Sequence, residues 1–399
     1  MERSRFLAAT GGALGWLSLA GTAEAQPVVT LPFANGERRL VAFPQKRPLM
    51  LMTPRPPQLE TPFAIFDDGS FTPNDAFYVR WHLAGIPESV DASTHRIAVS
   101  GAVARQLSLT LDDLARMPTI EINAVNECSG NSRGLFKPRV PGGQWGNGAM
   151  GNARWAGVRL RDILDRAGLQ VNAKQVQFSG LDEPVLPQTP AFKKSLDIEV
   201  ARGDNVIVAY LMNGRPMPLL NGFPVRLVVA GWYATYWVKM LSQITVLDHA
   251  DDNFWMKTAY RIPDTPNASV PPGTPATGFA SVPINKLDVR SFVTSLADGA
   301  RIDTGPTLLR GIAFDGGSDV RRVEVSLDGG GSWRSAELEE NYGKYSFRRW
   351  NFRWAATAGT FVIAVRATSN DGGTQTATPI WNLGGYMRNV IETYTVTVA

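Results

Sequence analysis

The sequence predicts an α+β region followed by an almost purely β region, and three observations predict it. Residues 26–272 mix strand-period and helix-period hydrophobic patterns. Residues 280–399 alternate with period two between Gly- and Asn-rich turns. A stretch rich in Pro, Gly, Thr and Ala at 264–277 separates the two. A chain of 399 residues has room for two to three domains at about 150 residues each. The division is an export segment at 1–25, a first domain at 26–272 and a second at 273–399. Hydrophobic residues make up 44% and charged residues 19%, which excludes a disordered chain. Glycine (38) and proline (27) run above the usual share, which favours strands and loops over a helical bundle.

The elements follow in order. Arg3 and Arg5, an apolar run over 6–20 and the Ala23-Glu24-Ala25 cleavage pattern predict a secretory signal, with both Sec and twin-arginine routes open. That run is shorter than the ~20 residues a bilayer needs, so no membrane span is expected. Thr110 with Asp113 three residues on predicts a capping box, and the helix stops at Met117-Pro118. Ile120, Ile122 and Ala124 alternate in a strand that delivers Asn126-Glu127-Cys128 to a Ser129-Gly130-Asn131 turn. Leu160, Ile163, Leu164 and Ala167 have helical spacing, with Gly168 as the stop. Strands are expected at 206–210 and 223–229, and strand-like backbone at 236–246. Val323, Val325 and Leu327 lead through Asp328-Gly329-Gly330-Gly331 to Trp333, a hairpin; the glycines precede a strand, which argues against a phosphate loop. About seven short strands near the C-terminus predict an immunoglobulin-like sandwich without its disulfide.

Lys and Arg number 40 against 36 Asp and Glu, a net charge of +4, too weak to argue for nucleic acid. Cys128 is the sole cysteine, so there is no intrachain disulfide and no Cys-rich zinc site. With three histidines (His82, His95, His249) and no C-x-x-C-H, no haem is expected in this chain. Cys128 has two readings: a buried small hydrophobe, or a functional thiolate at a polar turn with Arg133 five residues on.

Tyr78-Val79-Arg80-Trp81-His82-Leu83 resembles the Arg-x-His segment of sulfite oxidases. Asn126-Glu127-Cys128-Ser129-Gly130-Asn131-Ser132-Arg133 resembles their molybdenum-binding cysteine motif, and the run from Trp145 to Val158 the segment after it. Ala209-Tyr210-Leu211-Met212-Asn213-Gly214, Asn221-Gly222-Phe223-Pro224-Val225-Arg226 and Trp237-Val238-Lys239 are similar to later blocks. Ser326-Leu327-Asp328-Gly329-Gly330, Trp333 and Trp381-Asn382-Leu383 resemble the family's C-terminal domain. The resemblance spans nearly all of the chain after the signal, in the family's order. The stretch Tyr233-Ala234-Thr235-Tyr236-Trp237-Val238-Lys239 is most similar to periplasmic bacterial sulfite dehydrogenases, catalytic subunits that pair with a cytochrome c.

The resemblance implies a sulfite-oxidase-type molybdopterin domain followed by an immunoglobulin-like domain of the dimerisation type. It implies a molybdenum–molybdopterin cofactor with Cys128 as thiolate ligand, a soft donor suited to a sulfur-rich metal site. Tyr78, Val79, Arg80, Trp81, His82, Asp182, Asn221, Arg226, Trp237, Val238 and Lys239 would hold the pterin and its phosphate. Asn221 stands where the family more often has histidine. Arg80, Arg133 and Tyr260 would bind the substrate anion, Trp145 would wall the pocket, and the third arginine carries over to Arg388, because Gly384 follows Trp-Asn-Leu. The implied reaction is sulfite to sulfate, with electrons passed to an external c-type cytochrome or a stably bound haem subunit. Homodimer and heterodimer are both compatible, and the compartment is the periplasm, reached folded by the twin-arginine route. The alternative is the sulfane dehydrogenase subunit of a thiosulfate-oxidising complex. Nitrate reduction fits the arginine-rich pocket poorly, and a non-catalytic immunoglobulin-like binder leaves Cys128 and Arg133 unexplained.

Overall fold

The strand expected to carry Cys128 forms as Thr119–Glu127 and pairs antiparallel with Met150–Arg159, Glu127 opposite Met150. The computed structural model describes Val28–Thr30 and residues 36–399, so the expected export segment lies outside the described residues. Val206–Met212 pairs with the other edge of Met150–Arg159 and also with Arg226–Val229. A second sheet runs Lys193–Asp197, Gln175–Ser179, Gln243–Leu247, Ile97–Gly101, Leu107–Leu109. Its Gln243–Leu247 and Ile97–Gly101 strands are parallel. An N-terminal antiparallel sheet ends in Gln58–Glu60 and Val79–Arg80, which brings Arg80 to the site.

Helices are few and short. Thr110 Oγ1 accepts from Asp113 N at 3.0 Å while Thr110 N donates to Asp113 Oδ2 at 2.9 Å, the expected capping box on Leu111–Ala115. Leu160–Ala167 buries Leu160, Ile163, Leu164 and Ala167 completely and stops at Gly168, φ +72°. The Leu and Ile side chains each contribute roughly 1.5–3 kcal/mol by leaving water. None of the helices in the described residues is long and apolar enough to cross a membrane.

Two sequence readings change. Pro224 has no N–H for a ladder, and the 223–229 strand shrinks to Arg226–Val229. The stretch 236–246 is not continuous strand: Ala234–Tyr236 is a 3₁₀ turn and the strand starts at Gln243. The intervening backbone wraps Arg226, whose Nη2 donates to Trp237 O at 3.1 Å, and Leu227 N donates to Val238 O at 2.8 Å.

The C-terminal region is two sheets, four-stranded (Arg290–Val293, Gly305–Phe314, Arg348–Ala356, Glu337–Leu338) and five-stranded (Ala300–Ile302, Glu392–Val398, Gly359–Ser369, Val320–Ser326, Arg334–Ser335). Buried Val323, Val325, Trp350, Ile363, Val365 and Val396 form their shared core. The Asp328-Gly329-Gly330-Gly331 hairpin forms, with Glu324 opposite Ser335. The proline-rich stretch is a docked loop: Arg261–Pro263 pairs with Ser281–Pro283, and Val270 N donates to Trp381 O at 2.9 Å. The two regions also share core, with Phe63 against Phe292 at 5.5 Å and Phe66 against Phe347 at 5.9 Å.

Candidate active site

Cys128 ends its strand and turns immediately. Cys128 N donates to Ala149 O, and Asn131 N to Cys128 O, both at 2.9 Å. Asn131 closes the turn, its Oδ1 accepting from Ala149 N and its Nδ2 donating to Glu127 Oε1, each at 2.9 Å. Gly130 leaves room for the Arg133 guanidinium: a Cβ would lie 2.4 Å from Arg133 Nη2, so the arginine would have to move. The returning loop is pinned by buried Glu60, which accepts from Gly146 N at 2.9 Å and Gly148 N at 2.8 Å. Burial pushes the Glu60 carboxyl up to about 7 against those two donors.

Cys128 opens on a cleft lined also by Tyr78, Arg80, His82, Asn221, Arg226, Lys239 and Tyr260, which with Cys128 are eight residues expected from the sequence. Asn126, Ser129, Leu220, Ala234 and Thr235 complete the wall. Five of these side chains carry buried polar atoms with no partner in the protein: Arg80 Nη1, Asn126 Nδ2, Ser129 Oγ, Arg226 Nε and Thr235 Oγ1. Buried polar groups are normally satisfied, so this wall is built for a polar ligand. Among the described residues no group of three or more His, Cys, Asp or Glu could hold a metal ion. A metal at Cys128 must therefore bring further ligands with it, as one chelated by an organic group does. The donor set, one thiol with Arg226, Lys239 and Arg80 around it, fits a metal–pterin group bearing a phosphate.

The cations are held without full compensation. Arg226 donates from Nη1 to Asn221 O at 2.9 Å and stacks over Trp155 at 5.2 Å; burial pulls its guanidinium down to about 10. Lys239 lies 4.4 Å over the Trp81 ring and is drawn down to about 7 by burial, then by Arg226, with Asp182 opposing. Lys46, which no motif singles out, donates to Asn221 Oδ1 and to Phe77 O (2.9 Å); burial takes it to about 7. Asn221 Nδ2 in turn donates to Tyr78 O at 3.0 Å. Buried Lys194 is likewise pulled down to about 7. Between about 7 and the usual 10.5, these lysines are neutral in the native chain and charged in the unfolded one. The unfolded state then binds more protons, so stability rises with pH. Cofactor-free protein is expected to melt at higher temperature at pH 9 than at pH 7, and the rise should shrink once an anionic cofactor pairs Lys239. Thermal melts of both forms across pH check this; equal slopes would remove Lys239 from the anion site.

His82 and Tyr260 form a buried pair, His82 Nε2 to Tyr260 Oη at 2.5 Å. His82 stacks on Phe192 at 3.8 Å. Burial, then Arg80, Lys239 and Lys194, hold it well below the usual imidazole range, so it is neutral. Burial raises the Tyr260 hydroxyl well above its usual range, with Arg80 opposing, so it keeps its proton.

The remaining expected residues do not line the cleft. Val79, Trp81, Trp237 and Val238 are core; Trp81 Nε1 donates to Leu220 O and Trp237 Nε1 to Trp232 O, both at 3.0 Å. Trp145 is core as well, not wall. Asp182 stands behind Lys239, its carboxyl raised by burial with Lys239 opposing. Arg133 is one layer back: Nε donates to Gly384 O at 3.0 Å, and the guanidinium lies 5.1 Å over the Tyr386 ring. Arg388 donates from Nη1 to Glu392 Oε1 at 2.5 Å and is absent from the cleft wall, because a carboxylate four residues on claims it. Tyr386, which sequence reasoning missed, stacks on Tyr260 at 5.4 Å. No motif marked it; Gly384 makes space for its ring, which a Cβ there would meet at 2.3 Å.

Residues 82–255 match the family model for the oxidoreductase molybdopterin binding domain, and residues 281–399 that for the Mo-co oxidoreductase dimerisation domain. The chain is 35% identical to human mitochondrial sulfite oxidase over 358 residues, 86% of this chain and 64% of that protein. It is 32% identical to chicken sulfite oxidase over 383 residues, 92% of this chain and 80% of that one. It spans about two thirds of the length of the mammalian relatives. Among solved structures, the sulfane dehydrogenase SoxCD from Paracoccus pantotrophus superposes with a TM-score of 0.74 at 25% identity, covering 86% of this chain and 85% of that one.

Proposed function

Because the chain belongs to the sulfite oxidase family of molybdenum–molybdopterin oxidoreductases, we propose that it oxidises sulfite to sulfate and passes the electrons to an external c-type cytochrome. The observation that carries the reading is the cleft itself: one thiol, Cys128, beside Arg80, with unpartnered donors around both. Purified, molybdenum-loaded protein should reduce cytochrome c with sulfite as donor. Reduction of cytochrome c that does not depend on added sulfite would overturn the reading.

Oxidation of sulfite takes one oxygen from water and releases two protons and two electrons. When bound, the molybdenum–molybdopterin group supplies the two-electron oxidation. The chain's residues do the rest. Cys128 holds the metal. Arg226 and Lys239 hold the phosphate, the first as a planar fork and the second as a point charge. Asn221, fixed by Lys46, fills its hydrogen-bonding place without a titratable proton. Arg80 aims Nη1 at the substrate oxygens. Tyr260 relays a proton: its hydroxyl gives its own to neutral His82 Nε2 and Oη takes up one of the two that the water releases.

Arg133 sits behind Tyr386, so its contribution is through-space charge. Arg133→Gln is expected to raise KM for sulfite about tenfold, ~1.4 kcal/mol, with kcat changed less. Arg388→Met, whose charge faces Glu392, should leave KM within about twofold. Steady-state kinetics on both folded variants checks this; an unchanged KM in Arg133→Gln would remove it from the anion site.

The cytochrome contact is proposed to rest on local charge contrast, since +4 overall is weak. Such contacts are screened over ~10 Å at 0.1 M salt. Turnover at limiting cytochrome should fall with ionic strength while reduction by sulfite changes less, as stopped-flow of the two half-reactions would read. A salt-independent second step would favour a permanent haem subunit.

Periplasmic location and twin-arginine export, read from residues 1–25, are part of the proposal; an immunoglobulin-like C-terminal domain and dimerisation through it are supported by the two-sheet region and by the dimerisation-domain model. A second reading, a sulfane dehydrogenase acting on protein-bound sulfur, is supported by the superposition on SoxCD. Absence of activity on free sulfite, with activity on a sulfur-carrier protein, would favour it.

A further inference from the structure

The turn that carries Cys128 is held from its far side by the C-terminal region. Arg290, first residue of Arg290–Val293, donates from Nη1 to Glu127 Oε1 at 2.7 Å and from Nη2 to Ser132 Oγ at 3.0 Å. One guanidinium thus brackets Cys128 at the residue before it and the residue four after it. The same Nη2 reaches Glu392 Oε1 at 3.0 Å, the oxygen that Arg388 also holds. The Arg290 and Glu127 side chains are each 1% exposed. Two further contacts add to the grip: backbone Met387 N donates to Ser129 O at 3.3 Å, and the Arg133 side chain donates from Nε to Gly384 O at 3.0 Å.

An ion pair that only glued the two regions together would need one contact, and buried pairs are poor sources of net stability. The aromatic contacts of Phe63 and Phe66 with Phe292 and Phe347 already join the regions. What the fork adds is a fixed geometry at both ends of the turn. Ser132 has φ +66°, a conformation a non-glycine residue holds only when its surroundings impose it, and Arg290 is one of its two side-chain partners, Asn147 being the other.

We propose that Arg290 is a positioning residue for Cys128: through Glu127 and Ser132 it sets the direction of the sulfur toward the metal, so the C-terminal region completes the site. The inference rests on Cys128 as the metal's thiolate ligand. Outer-shell partners of metal ligands typically influence metal affinity or activity by about 10–100-fold. Lysine at 290 keeps the charge but cannot hold Glu127 and Ser132 together with one rigid fork.

The test uses the full, molybdenum-loaded chain, and dithionite rather than sulfite to generate Mo(V), so the readout does not depend on the substrate. Arg290→Lys is expected to melt near wild type and to lose kcat by roughly 10-fold or more per bound molybdenum. KM should stay within about twofold, and the Mo(V) electron paramagnetic resonance signal should show shifted g-values. Glu127→Gln/Arg290→Met, which removes both buried charges and leaves Arg388 with Glu392, should show the same altered signal if the single variant folds poorly. A wild-type signal and kcat in either folded variant overturns the positioning role, as does a loss of activity explained wholly by lower molybdenum content. Collapse of both variants assigns the network to folding and overturns it too. A wild-type protein that binds no molybdenum would instead strike the assignment of Cys128 beneath it.

Discussion

Cys128→Ser is expected to fold and to be catalytically dead. The turn around residue 128 is made by backbone and by Asn131: Cys128 N to Ala149 O, Asn131 N to Cys128 O and Asn131 Oδ1 from Ala149 N are all independent of the sulfur. A hydroxyl in its place is smaller and lines the same polar cleft, so packing changes little. What is lost is the soft thiolate, and a neutral hydroxyl is a poor donor to a metal in a sulfur-rich setting. No second thiol exists to replace it, because the chain has one cysteine. Turnover should drop at least about a thousandfold, ~4 kcal/mol of activation free energy. The melting temperature of the cofactor-free protein should move by only a few degrees, roughly the effect of ~1 kcal/mol. The measurement is kcat with molybdenum content determined on the same sample. Wild-type turnover in the serine variant would end the ligand assignment.

Much of this site was legible because its residues come in short runs whose chemistry is local. The Cys128 turn, the Thr110 capping box and the Gly168 helix stop each depend on residues within a few positions, and each forms as read. What escaped depends on distance along the chain. Lys46 meets Asn221 across 175 residues, and Arg290 meets Glu127 across 163; no periodicity records such a meeting. The irregular 237–242 stretch escaped for another reason. Its apolar residues, Trp237, Val238, Met240 and Leu241, are all buried because the backbone turns inward around Arg226, so burial there is no sign of a ladder. Arg388 is the case where a local signal was present: Glu392 lies four residues on and takes its charge. Reading the pair first would have moved the third arginine out of the anion pocket.

Arg80→Met is expected to have the largest effect of any substitution that leaves the metal ligand in place. Arg80 reaches the cleft on Val79–Arg80, held in register by Gln58 opposite it. Its Nη1 is buried with no partner in the protein, so the charge is already desolvated and aimed where an oxyanion would sit. A preorganised donor of this kind stabilises charge that develops during reaction, and losing one costs about 10²–10³ in rate, ~2.7–4 kcal/mol. Methionine keeps the packing of the aliphatic stem, so the loss should appear in kcat/KM and not in melting temperature. The substitution also carries a pH signature that a folding defect would not. Arg80 is the second cause, after burial, that holds His82 below the usual imidazole range. Removing it lets the His82 pKa climb, while burial, Lys239 and Lys194 still hold it down. His82 must be neutral to receive a proton at Tyr260 Oη, so activity is lost as pH falls through the His82 pKa. The acid limb of the kcat/KM profile should therefore move to higher pH in Arg80→Met. In wild type it lies well on the acid side of neutrality. A variant with kcat/KM within about twofold of wild type and an unmoved acid limb would take Arg80 out of the reacting site and leave Tyr260 and His82 to act without it.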